Sequence, residues 1–422
     1  KVIDVRQHIE VIPEIDMPGH ARAAIKSMDA RYRRLMAAEQ PEAARQYLLS
    51  HPEDTSDYMT VQNYTDNSID VCLESTYAFV DKVMYELQQM YRDAGLKLNI
   101  FHMGGDEVGK GSWTGSPACR DLIAEREGVA GVADLKPYFV SRVAALAKQR
   151  GLALAGWEDG LMYDANNPFN RGQFDNDRVI ANAWDNIWEW GVADRAYRLA
   201  NAGYEVVLSH GTHLYFDHPY EAHPKERGYY WATRYTDTRK VFGYMPEHLY
   251  ANADTTRNGA PIDNLEALVG RALPPLKQPD NILGIQGQVW TETIRTPEQL
   301  ERMVYPRLLA LAERAWHRAE WEGGSSSAEA RAREFAVFAR TLAERELPRL
   351  AEAGVQAYLA PPGARWENGQ LQVNTALPGL PVEVSTNGLD WQAFQSSVSA
   401  EQAPVMLRTR LDNNVSRSTR LD

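Results

Sequence analysis

The sequence predicts a (β/α)8 barrel followed by a small all-β sandwich domain. Short apolar runs rich in Ile, Val and Leu alternate with amphipathic helical patterns over most of the 422 residues, as in parallel α/β folds. A carboxylate follows each apolar run, at the strand end where barrels carry their polar sites. Near residue 356 the pattern changes to short alternating segments. We expect a barrel domain over residues 1–355 and a sandwich over residues 356–422.

Six apolar runs, each bounded by Gly, Pro or polar residues, are the predicted barrel strands. They cover residues 8–15, 96–103, 152–155, 179–183, 205–209 and 282–289. A closed barrel of this kind has eight strands. We therefore expect two further βα units to precede Lys1.

Helical periodicity is clearest over residues 75–92, which end shortly before Gly95. Apolar side chains recur there at the spacing of one buried helix face, at Val80, Val83, Met84, Leu87, Met90 and Tyr91. Residues 307–316 and 331–347 show the same kind of pattern. These segments are the strongest helix predictions in the chain.

The C-terminal segment begins after a linker marked by Pro361, Pro362 and Gly363. An Asn387-Gly388 pair predicts a turn between two of its strands. The predicted strands are residues 371–374, 382–385 and 405–410. About 60 residues of this pattern indicate an Ig-like or fibronectin-like sandwich.

Composition restricts the classes of partner. The net charge of −12 argues against nucleic acid or an anionic membrane, since both favour Lys and Arg on the protein surface. No run of about 18 apolar residues is present, so no membrane span is expected. The 11 Trp and 20 Tyr suit the flat apolar faces of sugars, although large proteins also bury Trp in cores. Cys72 and Cys119 allow either one disulfide or two buried thiols.

The segments that follow the predicted strands carry the strongest functional signal. Every one contains a carboxylate, and four of the six also contain Trp or Tyr. They are residues 14–20 (EIDMPGH), 102–107 (HMGGDE), 156–159 (GWED), 182–185 (NAWD), 213–217 (HLYFD) and 288–292 (QVWTE). We call each of these segments a strand exit. A Trp buried in the core and an Asp that caps the next helix explain one such exit easily, but they explain six in succession poorly. We expect these exits to line one pocket.

Acidic residues between aromatic walls indicate glycoside hydrolysis, which needs a proton donor and stabilisation of an oxocarbenium-like centre. Metal-assisted hydrolysis is the rival, because His20, His102, Asp106 and Asp16 are all possible ligands. However, neither a His-x-His nor a His-Glu-x-x-His spacing occurs in the chain. We therefore expect neither a metal nor another cofactor.

The adjacent pair Asp106-Glu107 bears on mechanism. Neighbouring residues on an extended strand point to opposite faces, so the pair is badly placed to flank one bond as acid and nucleophile. A division of roles is the better interpretation: one carboxyl group donates the proton while the other holds a neighbouring group. The preceding glycines allow a sharp turn. The plainer alternative is a turn into a helix N-terminus, which also favours acids.

These features together resemble glycoside hydrolase family 20, the β-N-acetylhexosaminidases. The signature His-x-Gly-Gly-Asp-Glu stands at residues 102–107, and residues 214–219 and 228–233 are most similar to the bacterial chitobiases. The resemblance implies an exo-acting enzyme that removes terminal N-acetylhexosamine from chitobiose and chitooligosaccharides. Its mechanism would be retaining and substrate-assisted, through an oxazoline intermediate. It also implies a periplasmic, outer-membrane-associated or secreted location and a small carbohydrate as the partner.

The resemblance implies catalytic roles for three residues and a supporting role for His20. Glu107 matches the general acid/base, and Asp106 matches the residue that orients the 2-acetamido N–H and stabilises the oxazoline. Tyr215 matches the hydroxyl that binds the acetamide oxygen. His20 matches a histidine in a polar relay behind the acid.

The remaining site residues match sugar-binding positions of the family. Glu292 and Asp217 match the groups that bind the outer hydroxyls and enforce exo action. Trp231 matches an aromatic residue on the aglycone side. Three indoles match the walls around the acetyl methyl and the sugar face: Trp157, Trp184 and Trp290.

The sequence departs from the family pattern at its start. The family's Arg on the first strand and its Asp after the second have no counterpart in this chain. The alternative function is a non-catalytic sugar-binding protein of the same fold. The intact set of Asp106, Glu107 and Tyr215 argues against it, because binding alone needs no proton donor.

Overall fold

The computed structural model describes residues 9–323, 328–395, 398 and 404–422. The chain divides into two units. The first contains residues 1–185, 192–208 and 272–283, and the second contains residues 186–191, 209–271 and 284–422. The predicted domain boundary near residue 356 lies within the second unit and stays a prediction.

A five-stranded sheet in chain order corresponds to five of the six predicted barrel strands. Its members are β1 (Ile100–His102), β2 (Ala153–Trp157), β3 (Val179–Ala183), β4 (Glu205–Leu208) and β5 (Ile282–Ile285). The first four pair in parallel, with Phe101 opposite Leu154 and Ala181 opposite Val206. All of β1 and β3 is buried, as expected for apolar strands covered on both faces.

The first predicted strand is wrong as a regular strand. Within residues 9–15 the structure shows one isolated parallel bridge, between Glu14 and His102 of β1. The His102 N–H donates to the carbonyl of Pro13 (3.2 Å), but Pro13 has no N–H with which to continue a ladder. Ile9, Val11 and Ile12 are exposed, whereas His8 lies outside the described residues. The run therefore lies beside β1 without forming a strand, and the eight-stranded closure stays a prediction.

Helices fill the connections between the strands. In chain order the structure has α1 (Arg22–Ala37), α2 (Pro41–Arg45), α3 (Glu74–Asp93), α4 (Pro117–Glu125), α5 (Leu135–Gln149), α6 (Arg195–Asn201), α7 (Gly211–Leu214), α8 (Thr238–Phe242), α9 (Leu265–Val269), α10 (Pro297–Val304), α11 (Arg307–Trp316), α12 (Ala328–Thr341) and α13 (Leu347–Glu352). Among the described residues, no helix is both long and apolar enough to cross a membrane.

The helix predictions are largely confirmed. Helix α11 has the predicted bounds, and α3 exceeds its predicted range by one residue at each end. Met90, however, is exposed and not part of the buried face of α3. The helix predicted over residues 331–347 corresponds to three consecutive elements in the structure. These are most of α12, a π-helical turn at Leu342–Glu346 and the first residue of α13.

The C-terminal part is all-β, as predicted. Strands β6 (Gly363–Glu367) and β7 (Gln370–Asn374) form a hairpin, and a second sheet contains β8 (Val382–Ser385), β9 (Gln392–Ala393), β10 (Val405–Leu411), β11 (Asn414–Val415) and β12 (Thr419–Leu421). Leu371, Val384, Val405 and Leu407 form the buried core of these strands. Gly388 lies in the connection from β8 to β9 at φ +77°, where the Asn-Gly turn was predicted.

The two cysteines form a disulfide bond, which settles a choice that the sequence left open. Cys72 and Cys119 lie 47 residues apart in the sequence, and their Cα atoms are 5.0 Å apart. Cys72 lies shortly before α3, which begins at Glu74, and Cys119 lies in α4. The bond therefore joins two helical regions of the first unit.

Removal of this disulfide should destabilise the protein measurably. A cross-link that closes a loop of this length restricts the unfolded chain by about 4 kcal/mol in the chain-entropy model, and typical measured values are about 2–4 kcal/mol. The double variant Cys72→Ser/Cys119→Ser should lose that much free energy of unfolding in urea titrations. Wild-type protein treated with a reductant serves as the matched sample and should give the same midpoint. Equal midpoints for the oxidised wild type and the double variant would contradict the expectation.

Candidate active site

A glycine turn after β1 positions the Asp106-Glu107 pair. Gly104 and Gly105 adopt φ angles of +72° and +106°, which glycine reaches without steric cost. A Cβ at residue 104 would lie 2.6 Å from the Cα atom of Asp16, so no larger residue fits there. Glu107 itself has a φ of +50°. A left-handed backbone at a residue with a long side chain is costly and concentrates at functional sites.

His20 lies between the two carboxylates of this pair. Its Nε2 atom is 3.3 Å from Oε2 of Glu107 and 3.5 Å from Oδ2 of Asp106. The contact to Asp106, and next that to Glu107, raises the pKa of His20 to about 11 despite its partial burial. The imidazole is therefore a cation at neutral pH. Its positive charge stabilises negative charge on either neighbour.

Asp159 connects two exits of the sheet in the first unit. One oxygen accepts the backbone N–H of Glu107 (3.0 Å), and the other accepts the indole N–H of Trp184 (3.0 Å). Lys136 donates to the backbone carbonyl of Asp159 (2.7 Å). Burial, and next the charge of Asp106, raises the pKa of Asp159. Asp159 thus fixes the backbone at Glu107, the predicted acid, and the orientation of the indole of Trp184, a predicted wall residue.

Its neighbour Glu158 orients the exit of β3. Glu158 is 1% exposed and accepts the backbone N–H groups of Trp184 (2.9 Å) and Asp185 (3.0 Å). The Arg195 guanidinium lies 3.7 Å away. Burial raises the pKa of Glu158 well above its usual range. This carboxyl group has a positioning role within the protein, because its oxygens are already occupied by the β3 exit.

The two predicted wall residues of the first unit are both buried. Trp157 packs edge-on against His102, with the ring centroids 5.3 Å apart. Its indole N–H donates to Glu14 (2.8 Å), whose pKa burial raises to about 7. Trp184 is 9% exposed and held by Asp159, as described above. Both indole planes are therefore fixed by hydrogen bonds to carboxyl groups.

Asp16 belongs to the same cluster. It accepts the backbone N–H of Gly105 (3.1 Å), and burial followed by the charge of Asp106 raises its pKa to about 9. Ligand atoms of Asp16, His20 and Asp106 lie within 4.8 Å of one another, a spacing that could hold a metal ion. Nε2 of His20 also lies within ion-pair distance of Asp106 and Glu107, so the same groups form an ionic relay.

The titration of Asp16 should appear in the pH dependence of stability. Its raised pKa means that the folded protein keeps a proton that the unfolded chain releases, so the free energy of unfolding falls as pH rises from about 4 towards 9. Asp16→Asn cannot titrate. From pH 4.5 to 6 its stability relative to wild type should therefore increase, by up to about 1.4 kcal/mol per pH unit. His20 titrates in the unfolded wild type and in the unfolded variant alike, so its contribution cancels in the comparison.

Urea unfolding of wild type, Asp16→Asn and the surface control Asp81→Asn at pH 4.5, 5.2 and 6 measures this difference. Asp81 pairs with Arg150 at the surface (2.6 Å), so its variant controls for the loss of one carboxylate of the first unit. A constant difference between Asp16→Asn and wild type over this range would show that Asp16 is ionised in the folded protein.

The other predicted site residues lie in the second unit. Tyr215 is 3% exposed and packs edge-on against two indoles. Its ring centroid is 5.4 Å from that of Trp231 and 6.4 Å from that of Trp290. The structure thus brings three predicted aromatic residues of this unit together. The predicted convergence of all six exits on one pocket stays a prediction.

The exits that carry Tyr215 and Trp290 run side by side. Tyr215 and Gln288 form a parallel bridge, and the N–H of Phe216 donates to the carbonyl of Gln288 (2.6 Å). The predicted strand over 282–289 is therefore β5 followed by this isolated bridge. Because this bridge is parallel, the chain runs in the same direction through both exits.

Asp217 is a buried carboxyl group beside these aromatics. It is 4% exposed, and burial raises its pKa to about 7 although the backbone N–H of Trp290 donates to it. The charge of Glu292 adds to this effect. Atom Oδ1 of Asp217 has no hydrogen-bond partner among the described residues. An unsatisfied buried carboxylate oxygen is available to a ligand hydroxyl. Glu292, by contrast, is exposed.

A second glycine explains how Trp231 reaches Tyr215. Gly228 has a φ of +124°, and a Cβ there would lie 2.2 Å from the carbonyl oxygen of Asp217. The backbone of the 228–232 loop can therefore lie directly on the segment that carries Asp217. The N–H of Ala232 also donates to the imidazole of His218 (3.3 Å). Both contacts hold Trp231 against the Tyr215 ring.

The contacts of three groups at the site were not predicted from the sequence. Asp159 and Asp16 stand in the acidic exits, so a signal for them existed, but their roles as backbone acceptors depend on tertiary contacts. Gln62 donates to the Glu107 carboxylate from a loop far away in the sequence. No motif marked Gln62.

Models of two protein families match the chain. Residues 4–319 match "Glycosyl hydrolase family 20, catalytic domain". Residues 346–421 match "Chitobiase/beta-hexosaminidase C-terminal domain". The two matches together cover most of the chain, and the first includes every predicted site residue.

Curated relatives and solved structures agree with these matches. The chain is 38% identical to a beta-hexosaminidase of Vibrio vulnificus over 93% of its own length and 47% of the relative. It is 39% identical to an N,N'-diacetylchitobiase of Vibrio harveyi over 92% of its length and 47% of the relative. A family 20 exo-β-N-acetylglucosaminidase of Vibrio harveyi, solved with N-acetylglucosamine, is similar with a TM-score of 0.57 and 26% identity over 84% of this chain and 44% of that one. The chain thus spans about half the length of these relatives.

Proposed function

The chain belongs to glycosyl hydrolase family 20, and on this basis we propose that it carries the catalytic domain of an exo-β-N-acetylhexosaminidase. The substrates would be chitobiose and other oligosaccharides that end in N-acetylhexosamine. The observation that carries the proposal is the Asp106-Glu107 pair on its glycine turn, with the His20 cation 3.3–3.5 Å from both carboxylates.

The proposed reaction proceeds in two steps with retention of configuration. Glu107 donates its proton to the glycosidic oxygen while the substrate's own acetamide oxygen attacks the anomeric carbon, so that the bond to the leaving sugar breaks. Asp106 holds the acetamide N–H and balances the positive charge of the cyclic oxazoline. Glu107, now a carboxylate, then removes a proton from the water that opens the ring. General acid–base catalysis of this kind contributes about 10²–10⁴-fold.

The arrangement of Asp106 and Glu107 supports this mechanism over a covalent one. The two carboxylates belong to consecutive residues and share one cation, whereas ordinary retaining enzymes place acid and nucleophile about 5–5.5 Å apart on opposite sides of the bond. A nucleophile supplied by the substrate removes the need for a second catalytic carboxylate. Asp106 is then free to act as an electrostatic partner.

Residues of the second unit would contribute sugar recognition. We assign the Tyr215 hydroxyl to the acetamide oxygen, and Asp217 and Glu292 to the outer hydroxyls of the terminal sugar. The raised pKa of Asp217, about 7, suits a carboxyl group that is to be paired with neutral hydroxyls. The indoles Trp157, Trp184 and Trp290 would surround the acetyl group and the sugar face, with Trp231 on the aglycone side.

We also propose that the protein works in the periplasm, at the outer membrane or outside the cell. The Cys72–Cys119 disulfide supports this location, because such bonds persist in oxidising compartments and are rare in the cytosol. Chitin fragments would be met in the same compartments.

Hydrolysis assays test the proposed function. The protein should release N-acetylglucosamine from chitobiose and from an aryl β-N-acetylglucosaminide, and the first anomer seen by NMR should be β. The matching aryl β-glucoside lacks the acetamide and should be almost inert. Binding of N-acetylglucosamine without turnover of either substrate would instead support the non-catalytic sugar-binding alternative. Rapid turnover of the β-glucoside would overturn the substrate-assisted mechanism.

A further inference from the structure

Arg307 is a fully buried arginine at the first residue of α11. A buried cation normally pairs with a carboxylate. Within the described part of the chain, however, no carboxylate lies within salt-bridge distance of Arg307. Its guanidinium is directed instead at the backbone of the segment 216–218, which continues from Tyr215.

All five N–H groups of the side chain donate to carbonyl oxygens. Nε donates to Met303 (3.0 Å), and Nη1 donates to His218 (2.8 Å) and Thr236 (2.9 Å). Nη2 donates to Phe216 and again to Met303. Five donors are all that an arginine possesses. No donor is left for another role, so the guanidinium serves to fix these four backbone positions.

The carbonyls of Phe216 and His218 belong to the residues on either side of Asp217. Two aromatic rings hold the guanidinium in position, Tyr220 at 3.8 Å and Phe216 at 5.3 Å. Arg307 also acts on the carboxylate of Asp217 electrostatically, in the direction that favours its charged form. A lysine has three donors and no planar fork, so it could not bind all of these carbonyls.

We propose that Arg307 is a positioning residue of the hexosaminidase reaction: it fixes the peptide groups around Asp217 and thereby places the Tyr215 hydroxyl and the Asp217 carboxylate. The proposal rests on the proposed function for its catalytic consequence. Arg307 makes its hydrogen bonds to backbone carbonyls, so it acts through the peptide groups beside Asp217 and through its charge. Functional groups must be held within about 0.5 Å of their working positions, and a misplacement of about 1 Å can cost about 10²-fold in rate.

Arg307→Lys tests the proposal, and Arg314→Lys is the matched control. Arg314 lies two turns further along α11, is 3% exposed and bonds to Glu322 (2.8 Å). It has no hydrogen bond or ion pair to residues 215–218. Both variants should melt at lower temperature than wild type. With chitobiose, Arg307→Lys should lower kcat/KM by roughly 10–100-fold, with a raised KM and a lowered kcat. Arg314→Lys should change kcat/KM by less than about 3-fold.

The KM value separates positioning from a loss of folded protein. Partial unfolding lowers the apparent kcat through the active fraction and leaves KM unchanged. An unchanged KM in Arg307→Lys, or equal kinetic losses in both variants, would overturn the proposal. Tyr220→Leu removes the ring under the guanidinium without removing the charge. It should shift KM in the same direction by a smaller factor, and an unaltered KM would count against the proposal.

Hydrogen–deuterium exchange provides a readout that does not depend on activity. Peptides covering residues 214–220 should exchange faster in Arg307→Lys than in wild type, while Arg314→Lys should leave them unchanged. Unchanged exchange in both variants would overturn the proposal even if the wild-type enzyme is fully active. A wild-type protein that fails to hydrolyse chitobiose, with faster exchange in Arg307→Lys, would overturn the proposed function and retain the positioning of this segment by Arg307.

Discussion

Glu107→Gln should lower kcat for chitobiose by roughly 10²–10⁴-fold, the range expected when a general acid is lost. The amide has nearly the shape of the carboxyl group but has no proton to give to the departing sugar oxygen. The backbone N–H of residue 107 would still donate to Asp159, and His20 would keep Asp106 as its ion partner. The loss should therefore be catalytic and leave the thermal midpoint nearly unchanged.

The leaving group distinguishes acid catalysis from a structural effect in this variant. A nitrophenolate departs without protonation, so the formation of the intermediate from an aryl β-N-acetylglucosaminide should suffer much less than the cleavage of chitobiose. Steady-state and pre-steady-state rates with both substrates measure the contrast. A surface control, Glu86→Gln, removes a carboxylate paired with Lys82 and should change neither rate. Equal losses on the two substrates would indicate that Glu107 has no role as proton donor.

Asp106→Asn should lower kcat by about 10²–10³-fold, as expected when one electrostatic partner of a charged intermediate is removed. In the proposed mechanism, the positive charge of the oxazoline develops only as the acetamide attacks, so the interaction with Asp106 would belong to the transition state. KM for the neutral substrate should change little. A thiazoline analogue of the cyclic intermediate should bind wild type far more tightly than substrate does, and it should lose affinity for the variant by a factor comparable to the loss in kcat.

Trapping experiments can contradict the role that we assign to Asp106. If Asp106 were a nucleophile, a fluorosugar reagent would leave an ester on it that mass spectrometry of the peptide containing residue 106 detects. No such ester is expected. An adduct on Asp106, or full thiazoline affinity in Asp106→Asn, would contradict its assignment as the partner of the oxazoline charge.

The order of apolar and polar side chains was sufficient to predict the bounds of those strands and helices whose apolar positions are buried in the structure. Residues 179–183 and 307–316 have the predicted bounds because an apolar strand and an amphipathic helix are encoded by consecutive side chains. The segment 8–15 is apolar as well, yet Pro13 removes the N–H that a ladder needs, and Ile9 and Val11 remain exposed. Apolar composition alone therefore overestimated the strand.

Some features of the candidate site could also be predicted from the sequence, and others could not. The acidic exits made Asp106, Glu107 and His20 candidates from the sequence, because strand ends in such folds carry the polar residues, and the structure places the three side chains together. The exits also contained Asp159, but its contacts to the Glu107 backbone and to the Trp184 indole join residues 25 and 52 positions away. Partners at such separations are set by the packing of strands against one another. Sequence periodicity does not contain this information.

The left-handed backbone at His20 and Glu107, both at φ +50°, places a limit on how this protein can be improved. Only glycine adopts such angles freely, so each of these side chains keeps its position at a cost of about 1–2 kcal/mol. Mutagenesis that screens for heat resistance alone would favour glycine at both positions and would remove the proposed proton donor together with its ion partner. Thermostable variants should therefore be sought at positions outside the exits of the sheet, under simultaneous selection for turnover.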